Sequence, residues 1–384
     1  MSAADHEDVA RCGCAEWRED ARDGVARHEG VGAARDEGAV LAAAARWRTT
    51  WAARSQVAAR PDAPGLYLAL APMDGVTDAV YRELLTDLEG GASGISVCVS
   101  EFVRVTRDPV PAAVLRREVP ELLRGGRTRA GVPVFVQLLG GDPEPVAQTA
   151  RTAASLGALG VDLNFGCPAK TVNNHDGGAT LLKYPRRIER IVGRARELVP
   201  PEVPVTMKMR VGWDSADGIE EVARAAEAGG AAWITVHART RAQLYQPPVV
   251  WHALARARAA VRVPVVANGD LRGAADLLAC AAQSQCEAFM IGRGAMARPE
   301  LFARLRGGVD ERMSSAAFTG LLIRYHEMLV ASGVPASRAL ARVKQWLRMG
   351  ADMDAAMEPL FAALKVLPAW EPARARLLSW PSST

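Results

Sequence analysis

No run of about 18 apolar residues occurs in the 384-residue chain, which excludes a membrane-spanning helix. Cysteine is scarce, and the six residues at 12, 14, 98, 167, 280 and 286 are too few and too scattered for a disulfide framework. Cys12 and Cys14 have no second Cys or His pair nearby at zinc spacing, so no metal is expected. The first 16 residues carry acids and no apolar segment, unlike a secretory signal, and cytoplasmic residence is the expectation. Lysine is rare: there are five, at 170, 183, 208, 344 and 365, and every other basic residue is Arg, so each lysine is a candidate for a specific task. No G-x-G-x-x-G follows the first apolar run, which disfavours a doubly wound dinucleotide-binding sheet.

What is present describes a soluble globular protein, 49% hydrophobic and 23% charged, of one to three domains by length. The net charge of +4 is concentrated after residue 302. A modest basic surplus there is compatible with a phosphate-rich partner but does not by itself identify one. Residues 1–60 mix Ala, Arg, Asp and Glu with few large apolar side chains and are expected to form a poorly ordered extension, with weak helical tendency over 42–53.

From Gly65 the pattern changes to short apolar runs, each followed by a turn and an Ala-rich helical stretch. The runs are Leu66–Ala71, Ile95–Ser100, Pro133–Leu138, Val161–Asn164, Pro204–Met209, Trp233–His237, Pro264–Ala267 and Ala288–Ile291. Strands of this kind alternating with helices predict an α/β fold with a buried parallel sheet, and their number and spacing predict a (β/α)8 TIM barrel over about 61–305. Beyond it, amphipathic patterns over Ser315–Ser332, Arg338–Met349 and Met353–Val366 predict a small C-terminal helical domain, 306–384, with Pro359 breaking or bending its last helix.

A barrel collects its chemistry at the C-terminal ends of its strands. Those ends carry Pro72-Met73, Glu101, Gln137, Asn164, Lys208, His237, Asn268 and Gly292-Arg293. After the seventh and eighth runs, Asn268-Gly269-Asp270 and Gly292-Arg293-Gly294 offer close backbone approach and a guanidinium, a pocket suited to phosphate. Lys208 places a cation at the barrel mouth, suited to stabilising charge on a reduced flavin or to Schiff-base chemistry. Gln137 and His237 are polar but not specific. Cys167, between Gly166 and Pro168, is displayed rather than packed, as a nucleophile or an acid.

These segments resemble one family. Ala71-Pro72-Met73-Asp74-Gly75-Val76-Thr77-Asp78, Asn164-Phe165-Gly166-Cys167-Pro168, Lys208-Met209-Arg210-Val211-Gly212-Trp213, Val236-His237-Ala238-Arg239-Thr240, Asn268-Gly269-Asp270 and Ile291-Gly292-Arg293-Gly294-Ala295 closely resemble the signature segments of tRNA-dihydrouridine synthases. Glu101-Phe102-Val103-Arg104 and Arg342-Val343-Lys344-Gln345-Trp346 look like the bacterial C-type subgroup, which acts at position 16 of the D-loop. The resemblance covers about residues 66–370. It implies an FMN enzyme with NADPH as reductant and tRNA as partner, acting as a monomer. Cys167 matches the proton donor. Pro72, Met73, Asp74, Gln137, Lys208, His237, Asn268, Gly269, Asp270, Gly292 and Arg293 match cofactor-binding positions, and Arg104, Arg342 and Lys344 match tRNA-contacting ones. Two departures stand out: Ala238 where Gly is usual, and Asn174-His175-Asp176 in place of small residues. The alternatives are an FMN-dependent barrel dehydrogenase of a small molecule, and a tRNA-binding protein without catalysis.

Overall fold

The computed structural model describes residues 38–44, 47, 66–88, 94–307 and 312–381. Cys12, Cys14 and most of the expected 1–60 extension lie outside these residues. The strands β1 (Tyr67–Leu70), β2 (Val97–Val99), β3 (Val103–Arg104), β4 (Val134–Leu139), β5 (Val161–Phe165), β6 (Val205–Gly212), β7 (Ile234–Thr240), β8 (Val265–Asn268) and β9 (Ala288–Ile291) form one sheet. β1 pairs in parallel with both β2 and β9, and β2 pairs with β4, so the sheet closes on itself. β3 resumes beside β4 where β2 leaves off, at Val103↔Leu138, so β2 and β3 act as one interrupted strand. The ring is therefore the expected (β/α)8 barrel, with a strand in each predicted run.

Its strands alternate, for a physical reason. In β5, Val161, Leu163 and Phe165 face outward into a cluster that includes Ile188 and Ile191 of the helix Pro185–Leu198. Asp162 and Asn164 take the intervening positions and point into the barrel. β6 repeats this with Val205, Met207 and Met209 outside, and β7 with Ile234, Val236 and Ala238. The interior is sealed at the N-terminal end of the strands by Ala69, Val97, Phe135, Trp233, Val266 and Met290. There the Trp233 ring lies 5.6 Å from Phe135 and 6.1 Å from Tyr67. Most of the polar side chains inside the barrel therefore gather above this plug, toward the open, C-terminal end.

The helices Ser315–Ala331, Ala336–Ala351, Glu358–Lys365 and Trp370–Leu378 follow the barrel. Pro359 neither breaks nor bends a helix. It sits in the first turn of Glu358–Lys365, where its missing N–H costs no hydrogen bond, and a short turn at Ala355–Met357 precedes it. The helices dock on the β1 and β9 side: Trp346 Nε1 donates to Met296 O at 2.8 Å, and the Trp346 ring meets Tyr81 at 4.8 Å and Tyr325 at 5.2 Å. Packing also begins before residue 61, since residues 38–44 are helical, Val40 is buried, and Trp47 meets Phe289 edge-on at 5.4 Å.

Candidate active site

Strand register assembles the site. Pairing sets Gln137 beside Asp162, Asn164 beside Lys208, Arg210 beside His237, and His237 beside Asn268. Apart from Asp162, which lies deeper, these inward positions open on a cleft at the C-terminal mouth. Pro72, Met73 and Asp74 after β1, Gln137, Cys167, Lys208 and His237 in the middle, and Asn268, Gly269, Asp270, Gly292 and Arg293 after β8 and β9 all line it.

The β8 and β9 side forms a rigid cationic corner. Gly269 has φ +125°, and a Cβ there would stand 3.1 Å from the His237 ring, so only glycine fits without displacing the imidazole. Asp270 does not offer its carboxylate to the cleft. It grips Arg239 at 3.0 and 2.5 Å and Arg293 at 2.9 Å, fixing two guanidiniums. Burial works against this charge, but the two arginines outweigh it and hold the carboxyl below its usual range. Trp251 Nε1 donates to Gly269 O at 2.9 Å and Asn268 Nδ2 to Met290 O at 2.8 Å, so the loop backbone is pinned from both sides.

In the middle of the cleft, burial and the neighbouring Arg210 bring Lys208 down to about 8, against the pull of Asp162 and Cys167. Burial, reinforced by Arg210, Lys208, Arg239 and Arg293, lowers His237 well below its ordinary value and makes it a neutral imidazole. The half-buried Cys167 lies on the loop leaving β5. Asn164 Oδ1 accepts from the N–H groups of Gly166 at 2.9 Å and Cys167 at 3.0 Å, and Cys167 O accepts from Ala179 N at 3.1 Å. Gln137 reaches the cleft with its amide engaged at both ends, donating to Asp162 and accepting from Asn164.

Phe102, Arg210, Tyr245 and Met353 also line the cleft, although no role was expected of them from sequence. Arg210 donates to Gly166 O and Thr240 O, both at 2.9 Å, tying the thiol loop to the loop after β7. The guanidiniums of Arg210 and Arg293 stand 5.2 and 5.6 Å from the Tyr245 ring centre. The strand alternation could have flagged Arg210, two residues past Lys208. Tyr245 and Met353 come from irregular or distant chain and have no such signal.

Arg104, Arg342 and Lys344 stay outside the cleft. Arg104 is exposed and reaches Thr171 O at 3.3 Å. Arg342 ion-pairs with Asp78 at 2.6 Å, and Lys344 donates to Lys365 O at 3.2 Å and Leu367 O at 2.5 Å. Glu101, raised to about 7 by burial and the adjacent Asp78, accepts from Val76 N at 2.9 Å in the same junction between barrel and helices. Among the described residues, no helix is long and apolar enough to cross a membrane, and no cluster of His, Cys, Asp or Glu is placed to hold a metal ion.

A closed parallel barrel whose mouth combines a cationic corner, a half-buried lysine and a displayed thiol defines a (β/α)8-barrel enzyme. Comparison then gives the family. The dihydrouridine synthase model matches residues 69–358, and the chain belongs to that family. Curated relatives include tRNA-dihydrouridine(16) synthases of Cupriavidus necator, 48% identical over 282 residues (73% of this chain, 86% of the relative), and of Ralstonia nicotianae, 47% identical over 283 residues (73% and 85%). A third, from Aquipseudomonas alcaligenes, is 44% identical over 288 residues (74% and 90%).

Proposed function

We propose that the protein reduces a D-loop uridine of tRNA, at position 16, to 5,6-dihydrouridine, with FMN as cofactor and NADPH as reductant. The observation that carries this reading is the convergence of Cys167, Lys208 and the Arg293 corner on one cleft in a chain whose relatives bear that name. The residues suit the cofactor: Gly269, Gly292 and Arg293 would hold its phosphate at the cationic corner, and Lys208 would supply a cation in the same cleft. When bound, FMN would supply the hydride for the uracil ring. Cys167 then supplies the proton that completes saturation of the 5,6 double bond, its loop held by Asn164 and Arg210. Neutral His237 would offer the bound cofactor a hydrogen-bond donor without adding positive charge. The target base must leave its stack to enter the mouth, which favours a looped region of folded RNA. The test is direct: purified protein with FMN, NADPH and unmodified tRNA should yield dihydrouridine mapped to position 16. Product at another D-loop position would move the assignment, and no product on any tRNA would reject it.

Arg104, Arg342 and Lys344 are proposed as tRNA contacts, and the structure sharpens what their removal should do. Exposed Arg104→Ala should weaken tRNA binding and lower the salt slope by about one unit with no change in melting temperature. Arg342→Ala and Lys344→Ala should do the same and also lower the melting temperature, because each releases an internal partner. Fluorescence titration with tRNA across salt concentrations, beside thermal unfolding, separates the two. Wild-type binding by all three variants at every salt concentration would remove these residues from the tRNA contact.

A further inference from the structure

Beneath the cleft, β5 carries a carboxylate with no part in the proposed reaction. Asp162 is 2% exposed and points into the barrel, one inward position below Asn164. Its Oδ1 accepts from Thr206 Oγ1 at 2.6 Å and its Oδ2 from Gln137 Nε2 at 2.7 Å. Gln137 Oε1 in turn accepts from Asn164 Nδ2 at 2.9 Å, and Asn164 Oδ1 accepts from the N–H groups of Gly166 and Cys167. A continuous hydrogen-bonded chain therefore runs from the barrel interior to the backbone of the thiol.

The ends of this chain fix its direction. Both oxygens of the carboxyl group at the foot accept hydrogen bonds, and the backbone N–H groups at the top only donate. Each amide between has one orientation that satisfies both neighbours. We propose that Asp162 is a positioning residue for Cys167: by claiming the Gln137 amide N–H it turns the Asn164 carbonyl toward the loop and holds the thiol's backbone in place. Burying a carboxylate is costly, and an apolar residue of similar size would fill the space as well, so an acceptor facing Gln137 is what the site requires. Burial pushes the Asp162 pKa up, while its hydrogen bonds from Gln137 and Thr206 and the nearby Lys208 favour the charged form; Tyr67 also faces it from β1.

The proposal deepens the reading of Cys167 as proton donor, but its test does not depend on turnover. The readout is the rate at which iodoacetamide alkylates Cys167, followed by peptide mass spectrometry. Asn164→Asp places a second acceptor against Gln137 Oε1, and Gln137 cannot turn while Asp162 claims its N–H. Alkylation should change about tenfold, the effect of losing one such hydrogen bond. Asp162→Asn alone can still accept from Gln137 with its carbonyl while its N–H turns to the Thr206 hydroxyl, and its effect should be smaller. Combined, the two substitutions permit the whole chain to reverse: the new amide at 162 donates to Gln137 Oε1, Gln137 Nε2 donates to the new carboxylate at 164, and that carboxylate still accepts from the loop. The double variant should therefore return to within about threefold of the wild-type rate. Thr206→Val, which removes the side branch but spares the chain, should leave the rate unchanged. Additive effects in the double variant, or a wild-type rate in Asn164→Asp, would overturn the proposal. If Asn164→Asp fails to fold, recovery of folding in the double variant gives the same answer, and its absence overturns the proposal. Loss of dihydrouridine formation with the alkylation pattern as expected would count against the proposed reaction and leave the positioning role standing.

Discussion

Cys167→Ala should give a protein that retains FMN and tRNA and is reduced by NADPH at the wild-type rate, yet forms dihydrouridine about 10²–10⁴-fold more slowly. The size follows from what a positioned acid contributes, and the selectivity from where the thiol lies. Its loop is fixed by contacts that alanine keeps, because Asn164, Arg210 and Ala179 all bind the backbone of Gly166 or Cys167 and none of these bonds uses the sulfur. Gly178 supports the loop from below, since a Cβ there would stand 2.8 Å from Cys167 O and 3.0 Å from Cys167 Cβ. The substitution thus removes the thiol and keeps the backbone contacts of its loop. Stopped-flow measurement of the two half-reactions decides it: a slowed reaction with tRNA beside an unchanged reaction with NADPH is expected. A collapse of the NADPH step alone would assign the thiol elsewhere, and wild-type rates in both would make it an ordinary loop cysteine.

The barrel was legible because its eight runs are separated by helical stretches, and the cleft was legible because barrels display the residues just past each strand. Reading only the residue at the end of each run had a cost. β5, β6 and β7 alternate in sequence as Val-Asp-Leu-Asn-Phe, Val-Thr-Met-Lys-Met-Arg-Val and Ile-Thr-Val-His-Ala-Arg. With a period of two, every polar residue in them faces inward, so Asp162, Thr206, Arg210 and Arg239 were available to the same reasoning that found Asn164, Lys208 and His237. Pro359 was misread because proline excludes a helix interior but favours a first turn, and the pattern around it did not show which applied. The burial of Val40 and Trp47 was hidden for another reason: a short segment packed on the outside of a barrel needs only a few apolar residues, too few to raise a composition average.

Lys208→Met should slow reduction of the bound cofactor by NADPH about 10²–10³-fold without weakening the fold. Burial, with Arg210 close by, brings the Lys208 pKa down from its ordinary 10.5 to about 8, so the folded protein gives up this proton more easily than the unfolded chain. Between about 8 and 10.5 the unfolded chain holds more protons, and stability from this group rises with pH across that window; near neutrality the buried cation is a cost. A neutral side chain of similar length removes that cost, so Lys208→Met should be at least as stable as wild type at pH 7, with the advantage shrinking as pH rises through the window. In the proposed reaction the cation would instead place charge where negative charge develops on the cofactor. Wild-type reduction should therefore decline as pH rises past about 8, while Lys208→Met should be slow at every pH and lack that inflection. Denaturant unfolding at pH 7 and pH 10, with stopped-flow reduction across the same range, tests both halves. Equal reduction rates in variant and wild type would reject the electrostatic role, and a large loss of stability at pH 7 would show that Lys208 holds the barrel mouth together instead of serving its chemistry.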